Sequence, residues 1–239
     1  MDSEHIHSAF DRDLDAIQAL MLRMGGLAET ALHDAMHALE SGDLELARKV
    51  REGDKVLDDL EEEIRGEVAR VIALRTPAAG DLRTVLSVLT MASTLERCGD
   101  YARNIAKRTV VLEELRYSSS LNGTLRRMSR LVETMLSDAL DAYIQRDATR
   151  AQEVIDRDLE ADQIYNSLFR ELLTHMMEDP RTIAPAMHLH FIAKNIERVG
   201  DHATNLAEQA IYLVTGSLPD DDRPKQDVTN VNLSDLQDG

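Results

Sequence analysis

The chain has 239 residues and a net charge of −17, because 44 Asp and Glu residues outnumber 27 Lys and Arg residues. This length allows one large domain or two of ordinary size. The acidic balance argues against nucleic acid as a ligand, since a phosphate backbone is bound by a basic surface. Hydrophobic residues make up 43% of the chain and aromatic residues only 3%, so aliphatic side chains must fill the core, which is typical of long helices.

Three features of the sequence indicate the compartment. A single cysteine, Cys98, excludes an intrachain disulfide and is typical of a reducing environment. The first ten residues lack a basic segment followed by an apolar one, so no secretory signal is predicted. No run of 18 apolar residues occurs, so no bilayer-spanning segment is predicted. We therefore expect a cytoplasmic protein.

Apolar residues at helical spacing predict three long helices in the first half of the chain. These helices cover residues 6–41, Leu44–Arg75 and about Ala78–Leu115. The turn Ser41-Gly42-Asp43 separates the first two helices, and Asp43 or Ser41 can cap the second. Thr76-Pro77 ends the second helix, and Pro77 is also tolerated in the first turn of the third.

The helical pattern restarts after a small polar segment, YSSSLNG. Pro185 makes the start of the last helix uncertain, and that helix should end near Val214. The sequence therefore predicts an all-α protein made of two tandem antiparallel three-helix bundles, since short connections make consecutive helices neighbours. We assign 1–116 to the first bundle, 117–123 to a linker, 124–216 to the second bundle and 217–239 to an acidic, disordered tail.

An internal repeat supports this division. Residues 96–107, ERCGDYARNIAK, match residues 197–208, ERVGDHATNLAE, at seven of twelve positions and at an offset of 101. Earlier in each half the offset is 104, which aligns Asp43 with Asp147. Gly99 and Gly200 are small residues on the apolar stripe and should allow close helix approach.

Each half carries two acidic pairs at i and i+4 spacing, which places both carboxylates of a pair on one face of a helix. Folding the hairpin between the second and third helices brings the two pairs of a half to similar heights. Such a set of oxygen ligands suits hard cations, so Mg²⁺, Mn²⁺, Fe³⁺ or Zn²⁺ is the predicted ligand. The predicted metal ligands are Asp54, Asp58, Glu96, Asp100, Asp158, Asp162, Glu197 and Asp201.

Other interpretations of the same residues stay open. A single E-x-x-x-D pair is usually a solvated face, and Arg97, Arg103 and Lys107 are close enough in sequence to neutralise Glu96 and Asp100 by surface ion pairs. The histidines are not part of the repeated feature, and His33 and His37 have no visible carboxylate partner. Cys98 aligns with Val199, which favours a small buried thiol over a catalytic nucleophile, and no catalytic residue is predicted.

The doubled ER-x-GD-x-A-x-N segment resembles the signature of the PhoU family, the accessory regulators of bacterial high-affinity phosphate transport. The segments Thr76–Arg83 and Leu22–Gly25 also look like that family's P-x-A-x-DLR and L-x-M-G sequences. The resemblance covers about His7 to Gly216. It implies two three-helix bundles with pseudo-twofold symmetry, and metal clusters bound at the acidic pairs named above.

The resemblance also implies the function. The family is understood as an adaptor that restrains the phosphate ABC transporter through its ATPase subunit and damps signalling from a sensor histidine kinase when phosphate is plentiful. We also expect a homodimer that meets the membrane only peripherally, through these partners. The chain has no Gly-rich loop or arginine cluster that would hold phosphate, so phosphate status should arrive through a partner.

Two alternatives from other classes remain. One is a carboxylate-bridged metalloenzyme or metal store of the ferritin-like kind. Those sites usually use a helical E-x-x-H, and the only such spacing in this sequence, Glu4 to His7, lies in the N-terminal fringe, which weighs against this alternative. The other is a helical scaffold that binds no metal.

Overall fold

The computed structural model describes residues 2–77, 79–115 and 123–219, with side chains from Phe10 onward. Within these ranges the chain forms six α-helices and one 3-10 turn, and no strand. The helices are α1 (Asp2–Ser41), α2 (Leu44–Arg75), α3 (Gly80–Glu114), α4 (Gly123–Gln145), α5 (Ala148–Glu178) and α6 (Ile183–Thr215). The predicted all-α, six-helix architecture is confirmed.

The helix ends agree closely with the sequence pattern. Thr76, in the left-handed conformation at φ 45°, follows the last residue of α2. Before α6 the chain makes the 3-10 turn Pro180–Thr182, which resolves the boundary that Pro185 had left uncertain. Gly123, which we had assigned to the linker, is the first residue of α4. The rest of the linker, and the tail from residue 220 onward, lie outside the described residues.

The six helices form two bundles that repeat the same arrangement. Helices α1, α2 and α3 pack together, and so do α4, α5 and α6. Between the halves, α3 packs on α6 and α1 packs on α4, so equivalent helices meet each other. Tyr101 and His202, which occupy equivalent positions, stack with ring centroids 5.6 Å apart. A pseudo-twofold axis therefore passes between these two rings.

The repeat extends to the helix caps. Asp43 accepts a hydrogen bond from the backbone N–H of Leu46 at 2.9 Å and begins α2. Asp147 does the same for α5, accepting from the N–H groups of residues 149 and 150 at 3.0 Å. The residue before each cap has a positive φ, 66° at Gly42 and 51° at Arg146. The predicted cap at Asp43 is confirmed.

The register between the second and third helices is also the same in both halves. A Cβ atom added at Gly99 would overlap Leu57 Cδ1, so a larger residue at position 99 would force the Leu57 side chain to move. A Cβ atom at Gly200 would lie 4.0 Å from Ala161, the equivalent of Leu57, and 3.5 Å from Val132. A side chain in place of glycine would therefore be crowded in the first half but would find ordinary contacts in the second.

Candidate functional site

The first acidic cluster consists of Asp54 and Asp58 on α2 and Glu96 and Asp100 on α3. The close approach at Gly99 brings these two helix faces together, and an arginine joins them. Arg103 Nη1 donates to Asp54 Oδ2, and Arg103 Nη2 lies 2.6 Å from Asp100 Oδ1. The guanidinium of Arg103 thus spans the space between α2 and α3 and pairs with one carboxylate on each.

Burial and like charge shape the electrostatics of the first acidic cluster. Burial raises the pKa of Asp54, whose side chain is only 6% exposed; Arg103 opposes that rise, and Asp58 and Asp100 add to it. Burial also raises the pKa of Glu96. Asp100, Glu61 and Asp58 raise it further, and Arg97 lowers it. The four predicted residues therefore act on one another electrostatically across two helices.

Outside the cluster's centre, Arg97 covers the solvent side. Arg97 Nη1 lies 3.5 Å from Asp100 Oδ2, and Arg97 Nε lies 3.7 Å from Glu96 Oε2. The arginine ion pairs considered from sequence are thus present at Arg97 and Arg103. The sequence did not indicate that Arg103 also reaches the other helix. The first acidic cluster already contains its own counter-cation.

The second acidic cluster consists of Asp158 and Asp162 on α5 and Glu197 and Asp201 on α6. Ala161 lies beside Gly200, so the acidic faces of α5 and α6 meet in the same register as in the first half. The aligned position of Arg103 is Thr204, which is fully buried and donates its hydroxyl to the carbonyl of Gly200 at 3.1 Å. No guanidinium from this position can enter the second acidic cluster.

Glu197 is the least satisfied carboxylate of the second acidic cluster. Lys194 Nζ donates to Glu197 Oε1 at 2.8 Å, while Arg198 Nε remains 3.9 Å from Oε2. The Oε2 atom is buried, and no donor in the described ranges hydrogen-bonds to it. Burial raises the pKa of Glu197 and Asp201 adds to the rise, although Lys194 and Arg198 oppose it. A buried acceptor without a donor is costly unless a further cation approaches it.

A cation would require the carboxylates of either cluster to rotate. In the conformation observed, no three His, Cys, Asp or Glu side chains of the described residues are grouped so that they could hold a metal ion. The second acidic cluster fits a hard cation better than the first, because Glu197 Oε2 is buried and accepts no hydrogen bond from the described residues, and because Thr204 stands where the first cluster has Arg103. In the first acidic cluster, the cation would have to displace Arg103.

The other candidate residues are one cysteine and three histidines that do not belong to the two sets of carboxylates. Cys98 is fully buried, and burial raises the pKa of its thiol to about 12, which keeps it protonated at neutral pH.

His188 Nδ1 lies 3.0 Å from Arg108 Nη1. His190 packs against Phe169 and Tyr165, and burial lowers the pKa of both His190 and His202. His190 and His202 therefore pack against the rings of neighbouring residues.

None of the helices in the described part of the chain is long and apolar enough to cross a lipid bilayer.

Comparison with known proteins gives consistent matches over the whole chain. The family model described as "PhoU domain" matches residues 21–109 and 125–210, once in each bundle. A Rhizobium meliloti protein named "Phosphate-specific transport system accessory protein PhoU homolog" is 45% identical over 230 residues, which are 96% of this chain and 97% of that protein. A protein of the same name from Caulobacter vibrioides is 46% identical over 226 residues, 95% of this chain and 98% of its own.

Two solved structures share the fold. The crystal structure of PhoU from Pseudomonas aeruginosa has a TM-score of 0.83 and 40% sequence identity, and the match covers 87% of this chain and 100% of that one. The phosphate transport system regulatory protein PhoU from Streptococcus pneumoniae has a TM-score of 0.82 and 32% identity over 88% of this chain and 99% of its own.

Proposed function

We propose that this chain, which belongs to the PhoU family, is an accessory regulatory protein of phosphate transport. The observation that carries this proposal is the double match: the PhoU domain occurs once in each bundle, and relatives named as phosphate-transport accessory proteins match over almost their entire length. The match covers 97% of the Rhizobium meliloti protein and 98% of the Caulobacter vibrioides protein, so it is not confined to one of their two repeats.

The finer proposal is an adaptor that works in the cytoplasm by protein contact. Its partners are the ATPase subunit of the phosphate ABC transporter and a sensor histidine kinase of the phosphate-starvation response. The buried thiol of Cys98 and the packing roles of the buried histidines favour contact over catalysis. The net charge of −17 favours basic surfaces on the partners.

A pull-down from phosphate-replete cells, paired with a deletion strain, tests the adaptor. The protein should recover the transporter ATPase or the kinase, and deletion should raise expression of phosphate-starvation genes under replete conditions. Recovery of neither partner together with unchanged expression would contradict the proposal. A homodimer, which we also propose, is checked on the same preparation by light scattering coupled to size-exclusion chromatography.

We propose further that both acidic clusters bind a hard cation such as Mn²⁺, Fe³⁺, Mg²⁺ or Zn²⁺, the second more tightly than the first. In the second acidic cluster, Glu197 and Asp201 of α6 and Asp158 and Asp162 of α5 would hold the ion. In the first, the ion would be held by Asp54, Asp58, Glu96 and Asp100. A bound cation would supply the positive charge that offsets the repulsion between carboxylates on neighbouring helices. The unpaired Glu197 Oε2 supports this order.

Metal analysis of the native protein separates this proposal from the two alternatives. A scaffold without metal would carry none above background. A ferritin-like enzyme, once loaded with iron, would show oxygen-dependent turnover, whereas we expect an iron-loaded sample to show none above buffer.

A further inference from the structure

Two histidines of α1 lie one turn apart beside the groove between the bundles. His33 and His37 are both exposed, and their ring centroids are 6.4 Å apart with the planes at 87°. They begin and end the segment His33-Asp34-Ala35-Met36-His37. An HExxH helix uses this same spacing to place two imidazoles on one zinc ion. The two rings are thus positioned to converge on one ion.

A carboxylate from the other bundle orients the first ring. Glu133 of α4 lies with Oε2 3.4 Å from His33 Nδ1. Its other oxygen, Oε1, accepts a hydrogen bond from Ser129 Oγ at 2.6 Å, which holds the carboxylate in place. A carboxylate that accepts from Nδ1–H selects the tautomer with a free Nε2, the arrangement found behind metal-binding histidines.

The second ring has a comparable partner. Ser41 Oγ lies 3.4 Å from His37 Nδ1, and the same hydroxyl donates its hydrogen to the His37 carbonyl at 2.7 Å. Because that hydrogen is already used, the serine oxygen can only accept from the ring. His37 is therefore also directed toward the tautomer whose Nε2 carries a lone pair.

The charges around the groove leave the pair accessible. Both histidines line a groove of about 370 Å³ whose charged residues are Glu40, Glu133, Arg126 and Arg130. Arg126 Nε donates to Glu40 Oε1 at 3.0 Å, so these two charges largely satisfy each other. Glu133 is thus the carboxylate left to act on an ion held by the two rings.

We propose that His33 and His37 chelate one borderline divalent transition-metal ion, such as Cu²⁺, Ni²⁺ or Zn²⁺, with Glu133 as the orienting carboxylate. Imidazole suits these ions, whereas the all-oxygen acidic clusters suit harder ones. Ligating nitrogens lie about 2.0–2.1 Å from zinc. The rings, whose centroids are 6.4 Å apart, would rotate to bring both Nε2 atoms to one ion, and water would complete its coordination. The site joins the bundles, because its rings are on α1 and its carboxylate is on α4. It does not depend on the proposed role in phosphate transport.

Electron paramagnetic resonance of Cu²⁺ tests the proposal directly. Tag-free, chelator-treated full-length protein receives half an equivalent of Cu²⁺, so that only the tightest site fills. We expect hyperfine coupling to two imidazole nitrogens. The His33→Asn/His37→Asn variant should lose this signal and bind Cu²⁺ more than tenfold more weakly. Because both side chains are exposed, this variant should fold normally, which circular dichroism checks.

Three further variants isolate the parts of the site. Glu133→Gln should weaken binding by about tenfold, the lower range for loss of an orienting carboxylate. His175→Asn, which removes an exposed histidine of α5, should change nothing. Glu197→Gln/Asp201→Asn should keep the two-nitrogen signal, which separates this site from the acidic clusters. The proposal would be overturned if the two-nitrogen signal survived in the double histidine variant or were absent from the wild type. Unchanged affinity in Glu133→Gln would contradict the orienting role of Glu133.

Discussion

The two acidic clusters are copies of one arrangement that solve the same electrostatic problem differently. In the first acidic cluster, Arg103 extends between α2 and α3 and pairs with Asp54 and Asp100. In the second, the equivalent position is Thr204, and Glu197 keeps a buried oxygen without a donor. The first cluster therefore has an arginine that bridges its two helices. In the second, Lys194 and Arg198 of α6 pair with Glu197 and Asp201 but leave Glu197 Oε2 without a hydrogen bond from the described residues. The two copies of a repeated motif can thus differ in how their charges are neutralised.

The packing beneath the clusters differs in a related way. In the first half a large residue on α2, Leu57, presses against Gly99. In the second half the equivalent of Leu57 is Ala161, and Val132 of α4 comes closer to Gly200 instead. In the second half, the larger side chain beside the glycine therefore belongs to the first helix of the bundle instead of the second. This exchange keeps the core filled and leaves more space at Gly200.

Removal of the internal cation should have the largest effect. We expect Arg103→Met to lower the free energy of unfolding by about 3 kcal/mol, because it leaves the buried carboxylate of Asp54 without its partner. The matched change in the second half, Thr204→Val, should cost less than about 1 kcal/mol, because Thr204 bonds only to its own helix. Urea unfolding measures both. Adding Asp54→Asn to Arg103→Met should recover part of the loss, and a loss of similar size in both halves would contradict the comparison.

The two glycines offer the next test. Gly99→Ala should destabilise the protein by about 1–3 kcal/mol through overpacking against Leu57. Gly200→Ala should be neutral or stabilising by up to about 1 kcal/mol, because the methyl group finds ordinary contacts and alanine favours helix. Thermal unfolding of the two variants measures the difference.

A second substitution makes the glycine test more specific. Leu57→Ala in the Gly99→Ala background copies the second half and should relieve the clash, so the two changes should be markedly non-additive. Additive losses would show that Leu57 is not the cause.

A smaller difference is expected at the turns before α2 and α5. Arg146 has a positive φ, which lowers the stability of the fold by about 1 kcal/mol for a residue with a side chain. Gly42 has a positive φ at the equivalent position without this cost. Arg146→Gly should therefore raise the free energy of unfolding by up to about 1 kcal/mol, and Gly42→Ala should lower it by a similar amount. Chemical denaturation checks both variants, and a loss of stability in Arg146→Gly would refute the assignment of strain.

The pH dependence should show the smallest effect. The folded-state pKa of Glu197 is raised above its ordinary value of 4.5, chiefly by burial. Below that ordinary value the carboxyl is protonated in both states and costs nothing. As the pH rises through the raised folded-state pKa, the native state must ionise a buried group and loses stability. Relative to Glu197→Gln, wild-type protein in chelator should therefore become less stable from pH 4 to pH 7. A constant difference between the two proteins would contradict this.

Much of the fold was visible in the sequence, because the repeat and the helical periodicity are both local patterns. The offset of 101 aligns Arg103 with Thr204, so the sequence shows that the two halves differ at this position. It does not show that Arg103 pairs with Asp54, because that contact depends on how closely α2 and α3 approach. The pairing of Glu133 with His33 was missed for the same reason: it joins two helices of different bundles, and no period in the sequence connects them.

The comparison between the clusters is tested most directly by titration of Mn²⁺, an ion that prefers carboxylate oxygens. Calorimetry on chelator-treated protein should find a tighter site that Glu197→Gln/Asp201→Asn abolishes and that Glu96→Gln/Asp100→Asn preserves. Two results would contradict the proposed order of affinities. The tighter site could be lost in Glu96→Gln/Asp100→Asn instead, or all three proteins could bind Mn²⁺ equally.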